Sequence, residues 1–306
     1  MTTIAFLLLP GVHVLDVAGP AHAFGVAHDL GHDYRLRYVG ESSQVRSHQG
    51  LPLGAETDLP LLEPHDVIVV SGWRTRTGVV PATSAALQWL SAHHGRGGAV
   101  MSVCAGAFAL GAAGLLDGRR CTTHHEHCDT LAERHPDALV IRDVLHVTDG
   151  RIRTSAGVAS GIDATLGLLA DRHGPALAAQ VARSMVVYAR RNGHAPQRSV
   201  MLKHRDHLND AVHRALDAID GGFSAHLPLA DLAATAGVSA RTLTRMFAAE
   251  VGMTPLKYQQ EVRLEHASLL IEHGATAESA ARTVGFSDAR MLRRLRRRAS
   301  EPAGPA

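Results

Sequence analysis

Residues 99–116 read AVMSVCAGAFALGAAGLL. The apolar run Ala99-Val-Met-Ser-Val103 predicts a buried strand, and the small-residue run after it, Ala105–Leu115, predicts a helix. Cys104 stands at the joint, a position where α/β enzymes carry nucleophiles. The same alternation extends on both sides. Ile4–Leu9, Tyr34–Val39, Val67–Val70, Val144–Val147 and Ile152–Thr154 read as strands, and Ala21–Asp29, Ser84–His94 and Ile162–Arg172 read as helices. This βαβ rhythm predicts an α/β domain, a mostly parallel sheet with helices on both faces. Ligands in such folds bind beyond the carboxyl ends of strands, here Pro10–Pro20, Ser71–Trp73, Cys104 and Ser155–Gly161.

The chain has 306 residues, 45% of them hydrophobic, which suits two folded domains and excludes a disordered chain. Its N-terminal apolar run is too short for a signal-peptide core or a bilayer span and has no basic segment before it. A cytoplasmic protein with no membrane partner is expected. Cys104, Cys121 and Cys128 make an odd count, so free thiols are expected rather than a disulfide framework. Charge is unevenly placed: residues 1–195 carry a net −1 and residues 196–306 a net +3. Within Phe286–Arg298 six arginines face one acid, Asp288, a footprint suited to a polyanion or to a solvated helical face.

Pro175–Arg191 reads as one more helix, and Asn192–Ser199, with its Asn-Gly and Pro punctuation, reads as part of a linker. The expected division is a first domain over 1–191, a linker over 192–204 and a second domain over 205–306. In the second, Arg205–Ile219, Leu229–Thr235, Ala240–Glu250, Pro255–Glu272, Ala277–Thr283 and Ala289–Ala299 all read as helices. That domain repeats internally. Gly237-Val-Ser239 placed over Gly285-Phe-Ser287, an offset of 48 residues, aligns Leu243 with Met291, Arg245 with Arg293 and Phe247 with Leu295. Each copy has the form of a helix-turn-helix: a helix, a glycine able to take the left-handed turn, an apolar staple, a serine N-cap and a second helix. In the first copy Leu243, Met246 and Phe247 are expected inside and Arg241, Thr242 and Arg245 outside. In the second, Met291, Leu292 and Leu295 are expected inside and Arg290, Arg293 and Arg294 outside. Exposed arginines there can bond a guanine edge or clamp phosphate. Joined by the long helix Pro255–Glu272, two such units could enter successive major grooves of one DNA face.

At these residues the chain resembles the AraC/XylS family of transcriptional regulators. The resemblance runs from about Leu208 to Arg298. It rests on Leu229-Ala-Asp-Leu-Ala233, Gly237-Val-Ser-Ala-Arg-Thr-Leu-Thr-Arg-Met-Phe247, Gly252-Met-Thr-Pro255 and Val284-Gly-Phe-Ser287. It implies sequence-specific binding to promoter DNA, with Ser239, Arg241, Thr242, Arg245, Ser287, Arg290, Arg293 and Arg294 as candidate contacts and RNA polymerase as a further partner. The chain departs from the family at Leu295, where a Phe is usual, and beyond Arg298.

The N-terminal part resembles the ThiJ/PfpI branch of class I glutamine amidotransferase-like domains, a flavodoxin-like sandwich, as fused to DNA-binding tails in regulators of the GlxA type. The matching residues are Leu8–Pro20, Val103-Cys-Ala-Gly106, Gly114–Arg120, Thr122-Thr-His124, Thr154-Ser-Ala-Gly157 and Gly161-Ile-Asp163. Isonitrile hydratases share the pattern, so a cysteine-dependent enzyme with an accessory tail is the alternative. The resemblance makes Asp16 the acidic partner of Cys104 and His124 its histidine. Gly72 and Trp73 complete the ligand-pocket candidates, Trp73 replacing the second of a usual glycine pair. A helix start beside Cys104 would favour its thiolate, whereas most free cysteines are small buried hydrophobes. Ala105 follows the cysteine where hydrolytic relatives carry histidine, so no catalytic residue is assigned. The cluster His124-His-Glu-His-Cys128 has zinc-type donors, but in a chain with 21 histidines chance clusters arise, and neither metal nor cofactor is expected. The family implies a homodimer through the first domain and an unidentified small-molecule effector.

Overall fold

The computed structural model describes all residues except 188–192, 195, 196, 198, 273 and 301–306. The chain forms two compact units, Met1–Gln197 and Arg198–Ala306.

Among its described residues the first unit is built on ten strands and six α-helices. These are β1 (Thr2–Leu8), α1 (Val14–Asp29), β2 (Tyr34–Gly40), β3 (Gln44–Arg46), β4 (Pro52–Gly54), β5 (Val67–Val70), α2 (Ser84–Gly95), β6 (Ala99–Val103) and α3 (Gly106–Ala112). Then come β7 (Arg120–Cys121), α4 (Cys128–Arg134), β8 (Leu139–Val140), β9 (His146–Asp149), β10 (Ile152–Ser155), α5 (Ala159–His173) and α6 (Pro175–Ser184). Six strands form the main sheet in the order β2-β1-β5-β6-β10-β9, parallel except at β9. Every residue of β5 is fully buried, as expected of a central strand in a sheet covered on both faces. Helices α1, α5 and α6 pack on one another as one layer, and α2 packs on α3 as another. The strand order reverses between β1 and β5, so the segments leaving those two strands diverge.

Several elements differ from the sequence reading; the helix expected over Arg205–Ile219, for one, begins at Asp210, where Asn209 caps it. Helix α1 begins at Val14, well before the expected Ala21, and carries Pro20 inside it. Pro20 has no N–H to give the Asp16 carbonyl. The Ser71 hydroxyl, from the end of β5, donates to that carbonyl instead at 3.4 Å, so tertiary structure repairs the break. Helix α3 stops at Ala112 because Gly114, at φ +71°, turns the chain and Leu115 N–H bonds back to Leu110. The expected helix 175–191 ends at Ser184, and its residues 188–191 lie outside the described residues.

The second unit is helical throughout its described residues: α7 (Val200–Lys203), α8 (Asp210–Gly222), α9 (Leu229–Ala236), α10 (Ala240–Val251), α11 (Pro255–Glu272), α12 (Ala277–Thr283) and α13 (Ala289–Ser300). Of the expected linker 192–204, residues 192, 195, 196 and 198 lie outside the described residues. Val200–Lys203 forms the turn α7, its Val200 N–H donating to the Glu265 carboxylate at 3.1 Å. Two cores share α11. Tyr258 and Val262 join Val212, Leu216, Leu232, Leu243 and Phe247 in one, and Ala267 joins Ala280, Ala281, Phe286 and Leu292 in the other. The Arg263 guanidinium binds the carbonyls of Phe223 and Ala225 as well as that of Gly285, tying the turn before α13 to the end of α8. No described helix is long and apolar enough to cross a membrane.

Candidate functional site

Cys104 follows β6 directly, and its backbone is fixed from three sides. Its N–H donates to Ser155, its carbonyl accepts from the Thr123 hydroxyl at 2.8 Å, and the same carbonyl starts the turn into α3. It sits at φ +55°, a left-handed conformation that costs a non-glycine residue about 1–2 kcal/mol. Glycines make the conformation possible. A Cβ on Gly72 would lie 2.5 Å from Asp16 Oδ2 and 2.7 Å from Cys104 Cβ, and one on Gly157 would lie 2.9 Å from Cys104 Sγ.

Asp16, on the first turn of α1, is fully buried against this joint. Its Oδ1 accepts from Val158 N–H at 2.7 Å, and Oδ2 has no hydrogen-bond partner among the described protein groups. Val158 itself is at φ +49°, costly for a β-branched residue. Burial raises the Asp16 carboxyl to about 6, against the opposing pull of the Val158 and Gly72 backbone. Burial also pushes the Cys104 thiol well above its usual value, and the Asp16 carboxylate adds to that push. Burial and the neighbouring acid thus oppose the thiolate that a helix start alone would favour. Helix α3 begins only at Gly106 and spans seven residues, and its amides are outweighed by burial and a neighbouring acid.

Asp16, Gly72 and Cys104 thus come together, with Gly157 and Val158 as members the sequence reading held only within the segment Ser155–Gly161. His124 does not bond Cys104; its Nδ1 lies 3.6 Å from Glu126 and its ring packs on His125. Burial and the neighbouring His125 lower its pKa to about 4, so it is neutral at pH 7. Trp73 is buried, pairs with Val12 across a β-bridge and donates Nε1–H to the Val79 carbonyl at 3.3 Å, anchoring the segment after β5. The histidine cluster does not form the helical face that would align His124 with Cys128: His125–His127 is a 3-10 turn, and Cys128 Sγ faces the carbonyls of Thr123 and His124. No group of three or more His, Cys, Asp or Glu among the described residues is arranged to hold a metal ion.

In the second unit the two turns are near copies. Gly237 and Gly285 are at φ +72° and +86°, and the amides of Val238 and Phe286 bond back to Ala233 and Ala281. Ser239 caps α10 through Thr242 N–H at 3.2 Å. Thr242 is only half-exposed, and its hydroxyl contacts Ser239 Oγ at 2.8 Å. The serine cap expected at Ser287 is replaced by Asp288, whose Oδ1 accepts from Arg290 and Met291 N–H, because α13 starts at Ala289, one residue later than the aligned start of α10 in the first copy. Met246, Met291 and Leu295 are only partly buried, while Leu243, Phe247 and Leu292 are fully so. Arg241 and Arg245 on α10, and Arg290, Arg293 and Arg294 on α13, are exposed, as is Ser287 before it. Arg293 is paired with Glu278 of α12 at 2.8 Å; at the matching place in the first copy stands Ala230, and Arg245 has no acidic partner among the described residues.

Residues 2–171 match the sequence profile of the DJ-1/PfpI family. The chain belongs to the DJ-1/PfpI family. Residues 232–301 of this family member match a helix-turn-helix domain. It is 30% identical to the HTH-type transcriptional regulator CdhR of Pseudomonas aeruginosa over 87% of this chain and 79% of that protein. It is 35% identical to an isonitrile hydratase of Pseudomonas putida, over 54% of this chain and 69% of that enzyme. Over 60% of this chain its fold is similar to that of an AraC family transcriptional regulator from Pseudomonas putida, all of which is covered, with TM-score 0.55 and 24% identity. The architecture expected from sequence, a mostly parallel α/β domain followed by a helical DNA-reading type of domain, is the one present.

Proposed function

We propose that this member of the DJ-1/PfpI family is a DNA-binding transcriptional regulator. Its second unit reads promoter DNA through α10 and α13, and its first unit senses a small-molecule effector. One observation carries the reading: a duplicated turn with glycines at matching positive φ presents exposed arginines on the second helix of each copy. The likeness to CdhR along most of both chains supports it. We assign base or phosphate contacts to Arg241, Arg245, Arg290, Arg293 and Arg294, with Ser239, Thr242 and Ser287 beside the backbone. Asp16, Gly72, Trp73, Cys104 and His124 belong to the sensing side, which also supplies the dimer contact. The regulator works in the cytoplasm, with RNA polymerase as its further partner.

Footprinting on the promoter regions of the source genome tests this. Arg245→Ala and Arg293→Ala are each expected to weaken binding and to flatten its dependence on salt, since without one phosphate-bound arginine about one counterion fewer is released. Binding that ignores both DNA sequence and these arginines overturns the reading.

The strained backbone at Cys104 and the isonitrile hydratase likeness favour a second reading, a cysteine-dependent enzyme. The burial that pushes the Cys104 thiol toward its protonated form and the separate His124 weigh against it. Isonitrile turnover by the wild-type chain that disappears in Cys104→Ala would establish that second reading.

A further inference from the structure

A cleft of about 660 Å³ lies beyond the ends of β1 and β5, includes Gly11, Arg46, Ser47, His48, Arg74 and Arg76 in its lining and does not include Cys104. Its place is the point where the strand order reverses, which in open α/β sheets is where diverging segments leave room for a ligand. Its volume falls in the range of small-molecule sites.

The walls are held by backbone bonds. Gly11 N–H donates to the Arg46 carbonyl at 3.0 Å, Arg74 N–H to the Gly11 carbonyl at 3.1 Å, and His48 N–H to the Val12 carbonyl at 2.9 Å. Gly11 takes φ +75° to make this junction, and the buried Trp73 fixes the start of the third segment. The arrangement brings three arginines from two separate segments to one opening. Arg46, Arg74 and Arg76 have no carboxylate partner among the described residues. Arg74 Nη1 lies 3.1 Å from His48 Nε2, and because a guanidinium only donates, that nitrogen is an acceptor. Planar guanidinium forks with no internal acid match carboxylate and phosphate oxygens.

We propose that this cleft is the effector site and that the effector is a small organic anion, whose carboxylate or phosphate group is held by Arg46, Arg74 and Arg76. The proposal rests on the reading of the first unit as a sensing domain, and it adds an anion-binding cleft at the strand-order switch to the residues proposed around Cys104.

Calorimetric titration of the full chain with citrate and with pyrophosphate, at constant ionic strength, tests it. At least one probe is expected to bind saturably, and citrate against pyrophosphate separates a carboxylate from a phosphate preference. Arg74→Gln combined with Arg76→Gln is expected to weaken that binding by at least about tenfold, as is Arg46→Gln. Both variants should melt at the wild-type temperature without anion, because these side chains are exposed. No saturable binding of either probe, or binding that survives the substitutions, overturns the proposal. Promoter footprints of the same proteins keep the two readings apart. Absence of saturable anion binding by the wild-type chain with an intact footprint sinks only the cleft, and a footprint indifferent to Arg245 and Arg293 sinks the regulator.

Discussion

Asp16 and Cys104 are two acids pressed into one buried joint, and burial pushes both toward their protonated forms. For Asp16 the effect on stability follows from linkage. The folded carboxyl titrates at about 6 against a reference of 3.8, so between those values the native state binds more protons than the unfolded chain. Stability therefore falls as pH rises through that window, and the cost, about 3 kcal/mol, is complete above it. Asp16→Asn is expected to raise the urea midpoint at pH 7.5 and to leave it unchanged near pH 3.5. An equal change at both pH values would place the origin elsewhere. Asp16 and Cys104 were legible as neighbours only through family resemblance, since 88 positions separate them in the chain. Arg46, His48 and Arg74 were not legible as a group at all. Nothing in a hairpin of three-residue strands announces that it will lie beside the segment after β5.

At the level of elements, the two helix-turn-helix copies share a backbone and differ in what surrounds it. A Cβ on Gly237 would meet only the end of the Arg214 side chain at 3.8 Å, whereas one on Gly285 would overlap the Ser224 carbonyl oxygen. Gly237→Ala is expected to cost about 1–2 kcal/mol for the left-handed conformation alone. Gly285→Ala adds a backbone collision and should cost clearly more, read as the difference in melting temperature between the two variants. Similar losses would mean that Ser224 yields freely. The turn glycines and the helix spacing were plain in the sequence because each obeys a local rule. The Asp288 cap was hidden because Ser287 and Asp288 are both good caps and lie side by side before Ala289. The early start of α1 was hidden for the opposite reason. Pro20 is a genuine local break, and the Ser71 hydroxyl that makes it tolerable comes from 51 positions away.

For the molecule as a whole, each unit carries its own hydrophobic core. Residues 198–306 expressed alone are therefore expected to unfold cooperatively, with a helical circular-dichroism signal lost in one transition, and to retain DNA binding. A fragment that shows no transition would make the second unit dependent on the first. The division of charge suits this separation, with the excess of positive charge in the second unit and the anion cleft of the first formed by position rather than by net charge.

The ion pair between Arg293 and Glu278 would give the two proposed reading helices different thresholds. If both arginines contact DNA as proposed, Arg245 has no ion pair among the described residues to give up, whereas Arg293 arrives with a tethered counterion that no dilution removes. An exposed pair of this kind is worth at most about 1 kcal/mol. That is enough to disfavour indifferent phosphates by up to about fivefold while a bidentate base contact still wins. The first copy would then fasten the protein to the duplex, and the second would act as a check on the sequence beneath it.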